Sequence, residues 1–169
     1  MKVSLKSVLA CLSVAFFGAA IGMFGLSFLD QKTASVLGGG KGSWATGFEL
    51  AFKAEDLGLE AKNGLGTLFA FIFVVLGVLA ALYGLFVALT AKKSKKGNKN
   101  AKLICAACTF VLCGVIPALL IFLTKQTTGI SFNASGILGK TETTLGVGAI
   151  LAAIFSLLGA CSLSVAELK

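Results

Sequence analysis

The charged residues of this chain cluster, and they leave four long stretches without Asp, Glu, Lys, Arg or His. These stretches cover about residues 7–29, 64–91, 103–124 and 143–166. About 20 residues of α-helix cross the hydrocarbon core of a bilayer, and backbone groups in lipid must be hydrogen-bonded internally. The pattern therefore predicts an all-α membrane protein, with a single bundle of four transmembrane helices over residues 1–169.

The composition excludes a water-soluble domain. Hydrophobic residues make up 57% of the chain and charged residues only 13%. A soluble domain of this length carries about 25% charged residues and could not cover so much apolar surface. The lipid bilayer is therefore the first predicted partner.

The first stretch has an alternative interpretation as a cleaved signal peptide. The basic segment 1–6 precedes it, and Gly18-Ala19-Ala20 resembles a small-residue cleavage site. Its apolar run continues to Leu29, however, whereas a signal core has about 7–15 residues. We favour a retained membrane helix.

The connection between the second and third stretches is strongly basic and has no acidic residue. By the positive-inside rule this loop, residues 92–102, is cytoplasmic. An even number of spans then places both termini in the cytoplasm, and residues 30–63 and 125–142 form the outer loops. The sequence thus predicts a multi-pass protein of the cell membrane. The six lysines of the basic loop are Lys92, Lys93, Lys95, Lys96, Lys99 and Lys102.

The net charge of +8 does not indicate a nucleic-acid partner. All 15 basic residues are lysines, and arginine, which makes bidentate contacts to bases and phosphates, is absent. The lysine run could contact anionic lipid head groups or simply set the topology. We favour the second interpretation.

The first outer loop contains a candidate interfacial helix. Phe48 and Phe52 recur at helical spacing after Thr46, and Glu49 and Lys53 form an i,i+4 pair. A short amphipathic helix on the outer membrane surface fits this pattern, with Trp44 as an aromatic anchor. In the second outer loop, residues 134–136 have the composition of a hairpin turn.

Small residues recur at every fourth position in three of the predicted helices, which indicates close helix packing. Such stripes serve contacts within one chain or between chains, and both remain open. Pro117 lies inside the third predicted helix, where it removes a backbone hydrogen bond and predicts a kink. The stripes are Gly18 and Gly22, then Ala80, Gly84 and Ala88, and finally Gly148, Ala152, Ser156, Ala160 and Ser164.

Four cysteines are the only candidate for chemistry inside the predicted membrane region. Cys11, Cys105, Cys108 and Cys161 all lie within about two helical turns of the predicted cytoplasmic surface. Four thiolates could bind a metal tetrahedrally, near-surface cysteines could be acylated or oxidised, and cysteine is also a small packing residue. We favour packing and predict no metal, no cofactor and no enzyme activity.

In outline the layout resembles that of claudins, with four helices, cytoplasmic termini and a longer first outer loop containing Trp44. The paired loop cysteines of such families are absent, so the resemblance brings no function with it. The favoured function is a structural or accessory subunit of a membrane assembly. The alternative is a small oligomeric channel or transporter, whose lining would use the hydroxyls of Ser13, Thr109, Ser156 and Ser164.

Overall fold

The computed structural model describes residues 5–34, 40–57, 61–90, 99–127 and 140–168. These residues are mostly helical, and four helices are long and apolar enough to cross a membrane. The chain is therefore a multi-pass membrane protein. The first, second and fourth spans are α1 (Leu5–Met23), α3 (Ala61–Thr90) and α6 (Val147–Leu168), and the third joins α4 (Lys99–Phe110) and α5 (Ile116–Thr127) through a π-helical turn, Val111–Val115.

Two of the predicted span limits were wrong. The first span ends at Met23 rather than at residue 29, and the fourth begins at Val147 rather than at residue 143. Residues 24–26 form a turn, residues 27–29 and 143–145 belong to strands of a β-sheet, and Gly146 joins the sheet to the fourth span. Their side chains are apolar or uncharged, so hydropathy alone cannot separate them from the helices that they adjoin.

The sheet departs from the all-α prediction. Its strands are β1 (Ser27–Ala34), β2 (Gly40–Thr46) and β3 (Lys140–Leu145), with the order β2-β1-β3 and antiparallel pairing throughout. Leu29 pairs with Ala45 on one side and with Leu145 on the other. The hairpin turn predicted at residues 134–136 lies outside the described residues.

The bundle has two distinct ends. The sheet end carries the three strands, because β1 follows α1 after a three-residue turn and β3 is separated from α6 by Gly146. The opposite end, here called the terminal end, brings the start of α1 and the end of α6 together, since Lys6 and Glu167 line one cleft. The first and last helices are therefore antiparallel neighbours.

Helix α6 is the most buried of the four spans and α3 the least. The centre of the bundle is filled by Phe17 of α1, which is fully buried. Two glycines make room for its ring: a Cβ would lie 2.6 Å from Phe17 on Gly77 and 3.1 Å from it on Gly159. Both distances are shorter than ordinary carbon contacts, so α1, α3 and α6 approach one another closely around this ring.

An aromatic cluster joins the sheet end to the bundle. The Phe24 ring lies 4.7 Å from that of Phe28 and 5.3 Å from that of Phe71, between ring centroids. Phe48 and Phe52 of the short helix α2 (Gly47–Phe52) contact the Phe71 ring edge-on at 5.6 and 5.4 Å. These separations are typical of favourable aromatic pairs. The sheet, α2 and the bundle therefore form one packed unit.

Candidate functional site

The terminal end contains a cleft between α1, α3 and α6, here called the terminal cleft, with a volume of about 190 Å³. Its walls are mostly apolar. Gly84 forms part of a wall, and a Cβ at this position would lie only 3.2 Å from Cδ1 of Leu163. The apolar wall residues are Ala80, Gly84, Val87, Leu163 and Ala166.

Three polar side chains also line the terminal cleft, namely Lys6, Tyr83 and Glu167. Tyr83 is 71% exposed, so the cleft lies at the outer surface of the bundle. The hydroxyl of Thr109 donates its one hydrogen to the carboxylate of Glu167, whose two oxygens lie 3.3 and 3.4 Å away. This contact holds the carboxylate in place from the α4 side. A cation and an anion therefore share the border of an apolar cleft.

Sequence reasoning missed this cleft. In the sequence, Lys6 and Glu167 only flank the first and last uncharged stretches. The signal that could have found them is the even number of spans, which returns the end of the chain to the side where it begins. The two charges meet because α1 and α6 are neighbours in the bundle. This neighbourhood cannot be read from the sequence.

The four near-surface cysteines do not form a metal site in the described part of the chain. Cys11, Cys105, Cys108 and Cys161 are all exposed on the bundle surface, whereas Cys113 is buried. Among the residues that the structure describes, no three His, Cys, Asp or Glu side chains form a metal-binding group. The packing role that we favoured also does not fit these four exposed positions, and it suits Cys113 alone.

The π-helical turn of the third span ends at Val115, two residues before Pro117. The N–H of Ile116 donates to the carbonyl of Val111, five residues earlier, instead of four. Proline lacks an N–H, and its ring crowds the carbonyl four residues before it, so a wider turn relieves this crowding. Gly114 lies in the same turn, and a Cβ there would be 2.7 Å from Cβ of Ala160. The third span is therefore tightly packed against α6 at its π-helical turn.

The small residues of the fourth span all lie on its buried face, namely Gly148, Ala152, Ser156, Ala160 and Ser164. Ser164 donates a hydrogen bond of 2.9 Å to the carbonyl of Ala106 on α4. Gly148 approaches the end of α1, since a Cβ there would lie 2.8 Å from the carbonyl oxygen of Met23. In α3, Gly84 is half-buried beside α6. These residues pack the bundle internally.

Gly18 and Gly22 behave differently. Both are exposed, and a Cβ at either position would meet nothing within 4 Å. The inward face of α1 is instead formed by Ser7, Ala10, Ser13, Phe17 and Ala20. The glycine pair predicted for helix packing therefore does not contact another described helix of this chain.

The hydroxyls considered as a channel lining are hydrogen-bonded within the chain. Ser13 donates to the carbonyl of Ala10, and Ser156 donates to that of Ala153. Both serines are fully buried. Thr109 and Ser164 make the bonds to Glu167 and Ala106 described above. All four groups thus have a hydrogen-bond partner within the chain.

The predicted interfacial residues lie at the sheet end, where Trp44 is half-buried in β2 and packs against the core. Phe48 is 37% exposed and Phe52 is 59% exposed. Lys92, Lys93, Lys95 and Lys96 lie outside the described residues.

Helix α2 begins with a capping box. The Thr46 hydroxyl accepts the N–H of Glu49 at 3.2 Å, and the Glu49 carboxylate accepts the N–H of Thr46 at 2.8 Å. The backbone hydrogen bond from Thr46, and then the one from its side chain, lower the pKa of Glu49. The carboxylate therefore stays ionised and keeps the cap intact at neutral pH. The helix ends at Phe52, one residue before Lys53, because Lys53 leaves helical geometry.

A second cleft lies at the sheet end and has a volume of about 360 Å³. Lys53 and Glu55 line it, together with Phe52, Leu65 and Leu68.

Comparison with known protein families, with curated proteins and with solved structures finds no match to this chain.

Proposed function

We propose that this protein is a non-enzymatic structural or accessory subunit of a membrane assembly. The observation that supports this proposal is the outward glycine pair, Gly18 and Gly22, on the surface of α1. A helix surface without side chains lets the backbone of another helix approach closely, and such pairs are typical of helix–helix contacts in lipid.

The glycine pair is hard to explain by the needs of this chain alone. Glycine is about 1 kcal/mol less favourable than alanine in a helix interior. Internal close approach, which explains Gly77 and Gly159 beside Phe17, does not apply where nothing lies within 4 Å. A helix of another membrane protein is the partner that would use this space.

The alternative, a small oligomeric channel or transporter, has less support. Its lining would depend on hydroxyl groups that are free to face a path between chains. Ser13 and Ser156 are fully buried and bond to their own helix, and Thr109 and Ser164 bond across helices. The interior of the bundle is better suited to close packing than to conduction.

Replacement of Gly18 by leucine tests the subunit proposal. We expect G18L to abolish recovery of a membrane partner after extraction of the native host in mild detergent, because the new side chain blocks the approach of the partner helix. The thermal unfolding temperature should stay close to that of the native chain, since the site is open. Native mass measurement, with identification of the bound chains, is the readout.

The matched control is Ala107→Leu, which places the same leucine side chain at an exposed position of α4. A107L should retain the partner. If the native chain forms a closed homo-oligomer without a different protein, the subunit proposal is wrong, and flux of ions and solutes in liposomes becomes the next measurement. Equal loss of the partner in both variants would also contradict the role of the glycine pair.

We further propose that the terminal end faces the cytoplasm and the sheet end faces outward. Lysines concentrate in the loop between the second and third spans, and the positive-inside rule places such loops in the cytoplasm. A membrane-impermeant maleimide applied to intact cells should label Lys53→Cys but not Asn100→Cys, both at exposed positions. The native chain, treated with the same maleimide, is the control for labelling of the native cysteines. The opposite labelling would reverse the orientation.

A further inference from the structure

We propose that the terminal cleft binds one zwitterionic glycerophospholipid, with its phosphate at Lys6, its head-group amine toward Glu167 and an acyl chain along Gly84 and Val87. This inference is independent of the subunit proposal, because it concerns a different surface, the cleft between α1, α3 and α6.

The charged and apolar residues of the cleft are arranged in the same order as the head group and acyl chain of a phospholipid. Lys6 lies in the first turn of α1 and Glu167 in the last turn of α6, so both charges are at the end of the bundle. The wall residues of α3, from Ala80 to Val87, lie about 5–15 Å inside the end of that helix, at 1.5 Å per residue. The charged groups thus lie at the end of the bundle and the apolar walls lie further in. A phospholipid has the same order, with a charged head group followed by an acyl chain.

A lipid chain can enter the cleft sideways. The walls include half-buried residues of α3, and this helix is the least buried of the four spans. Tyr83, on the same helix and also lining the cleft, is largely exposed. The cleft is therefore open toward the acyl region.

Specificity must come from the charged groups. A lipid chain gains little from an apolar groove, because the surrounding bilayer is equally apolar. Lys6 offers a cation to the phosphate, and Glu167 offers an anion that Thr109 holds in place through its hydroxyl. The two opposite charges complement a head group that itself carries both signs, which favours an amine-bearing phospholipid over a purely anionic one.

The test uses the full chain in mild detergent and native mass measurement with added dioleoyl phosphatidylethanolamine. We expect one lipid to stay bound, and Lys6→Gln to weaken its retention about fivefold, the change expected for loss of one lysine at a phosphate. Glu167→Gln should weaken retention of this lipid but not of dioleoyl phosphatidylglycerol, which has no amine.

The matched control is Lys53→Gln, because Lys53 also borders a cleft beside a carboxylate, Glu55, but at the sheet end. This variant should retain the lipid like the native chain. Ala80→Leu, which fills the terminal cleft, should remove it. Gel filtration of each variant establishes that it remains folded.

Three results would overturn the proposal. The first is equal retention of dioleoylglycerol, which lacks a phosphate. The second is an equal effect of Lys6→Gln and Lys53→Gln, which would show that the added lipid does not select the terminal cleft. The third is a protein chain, rather than a lipid, that is lost from the native complex when Ala80→Leu fills the cleft.

Discussion

We expect Phe17→Ala to be among the most destabilising single substitutions in this bundle, lowering its free energy of unfolding by about 3 kcal/mol. The Phe17 ring is fully buried and fills the space left by Gly77 and Gly159. Removing it leaves a cavity where three helices meet, and their van der Waals contacts disappear together. Unfolding in detergent by added denaturing surfactant, followed by circular dichroism, measures the change.

The control for this prediction is Phe86→Ala, the same change at a side chain that is 64% exposed on α3. Its contacts are with the lipid or detergent, so we expect less than about 1 kcal/mol of destabilisation. Similar losses in the two variants would mean that the central packing around Phe17 does not hold the bundle together.

The second large effect is expected for Gly146→Ala at the junction of β3 and α6. A Cβ here would overlap the carbonyl oxygen of Ser27 and lie 2.7 Å from its carbonyl carbon. These are backbone atoms of β1, and the N–H of Gly146 also donates to the carbonyl of Phe28 at 2.8 Å. Because the backbone cannot move aside without breaking this bond, we expect a loss of about 2–3 kcal/mol.

Gly18→Ala provides the comparison, because it is the same substitution at a helical glycine with nothing within 4 Å. It should leave stability unchanged or raise it by up to about 1 kcal/mol, since alanine is the better helix former. The measurement is thermal unfolding of both variants in the same detergent. Equal unfolding temperatures would show that the contact of Gly146 with β1 is dispensable.

The four spans could be predicted from the spacing of the charges, because a helix that crosses a bilayer needs a minimum length of uncharged sequence. The strands could not be predicted in the same way. Ser27, Phe28 and Leu29 continue the apolar run of α1, and their strand conformation depends on partners far along the chain, in β2 and β3. Register in a sheet is a tertiary property, so a single helix-length window does not contain it.

The fate of the small residues shows the same limit. Ala152, Ser156 and Ala160 lie on the buried face of α6, and their spacing predicted close packing. Gly18 and Gly22 have equivalent spacing but face outward. Spacing identifies residues that share one face of a helix. Whether another helix of the chain packs against that face depends on the arrangement of all four helices. The terminal cleft was missed for this reason.

The π-helical turn makes the third span change its neighbours part-way across the membrane. A turn closed five residues back contains one extra residue, so the residues after it are displaced by about 100° around the helix axis. Before the turn, α4 packs against α6, and after it α5 packs against both α3 and α6. The hydroxyls of Thr124 and Thr67 then meet at 3.5 Å. Deletion of one residue from Val111–Val115 would therefore rotate Thr124 away from Thr67 of α3. A change in the length of this span would thus also change which helices it contacts.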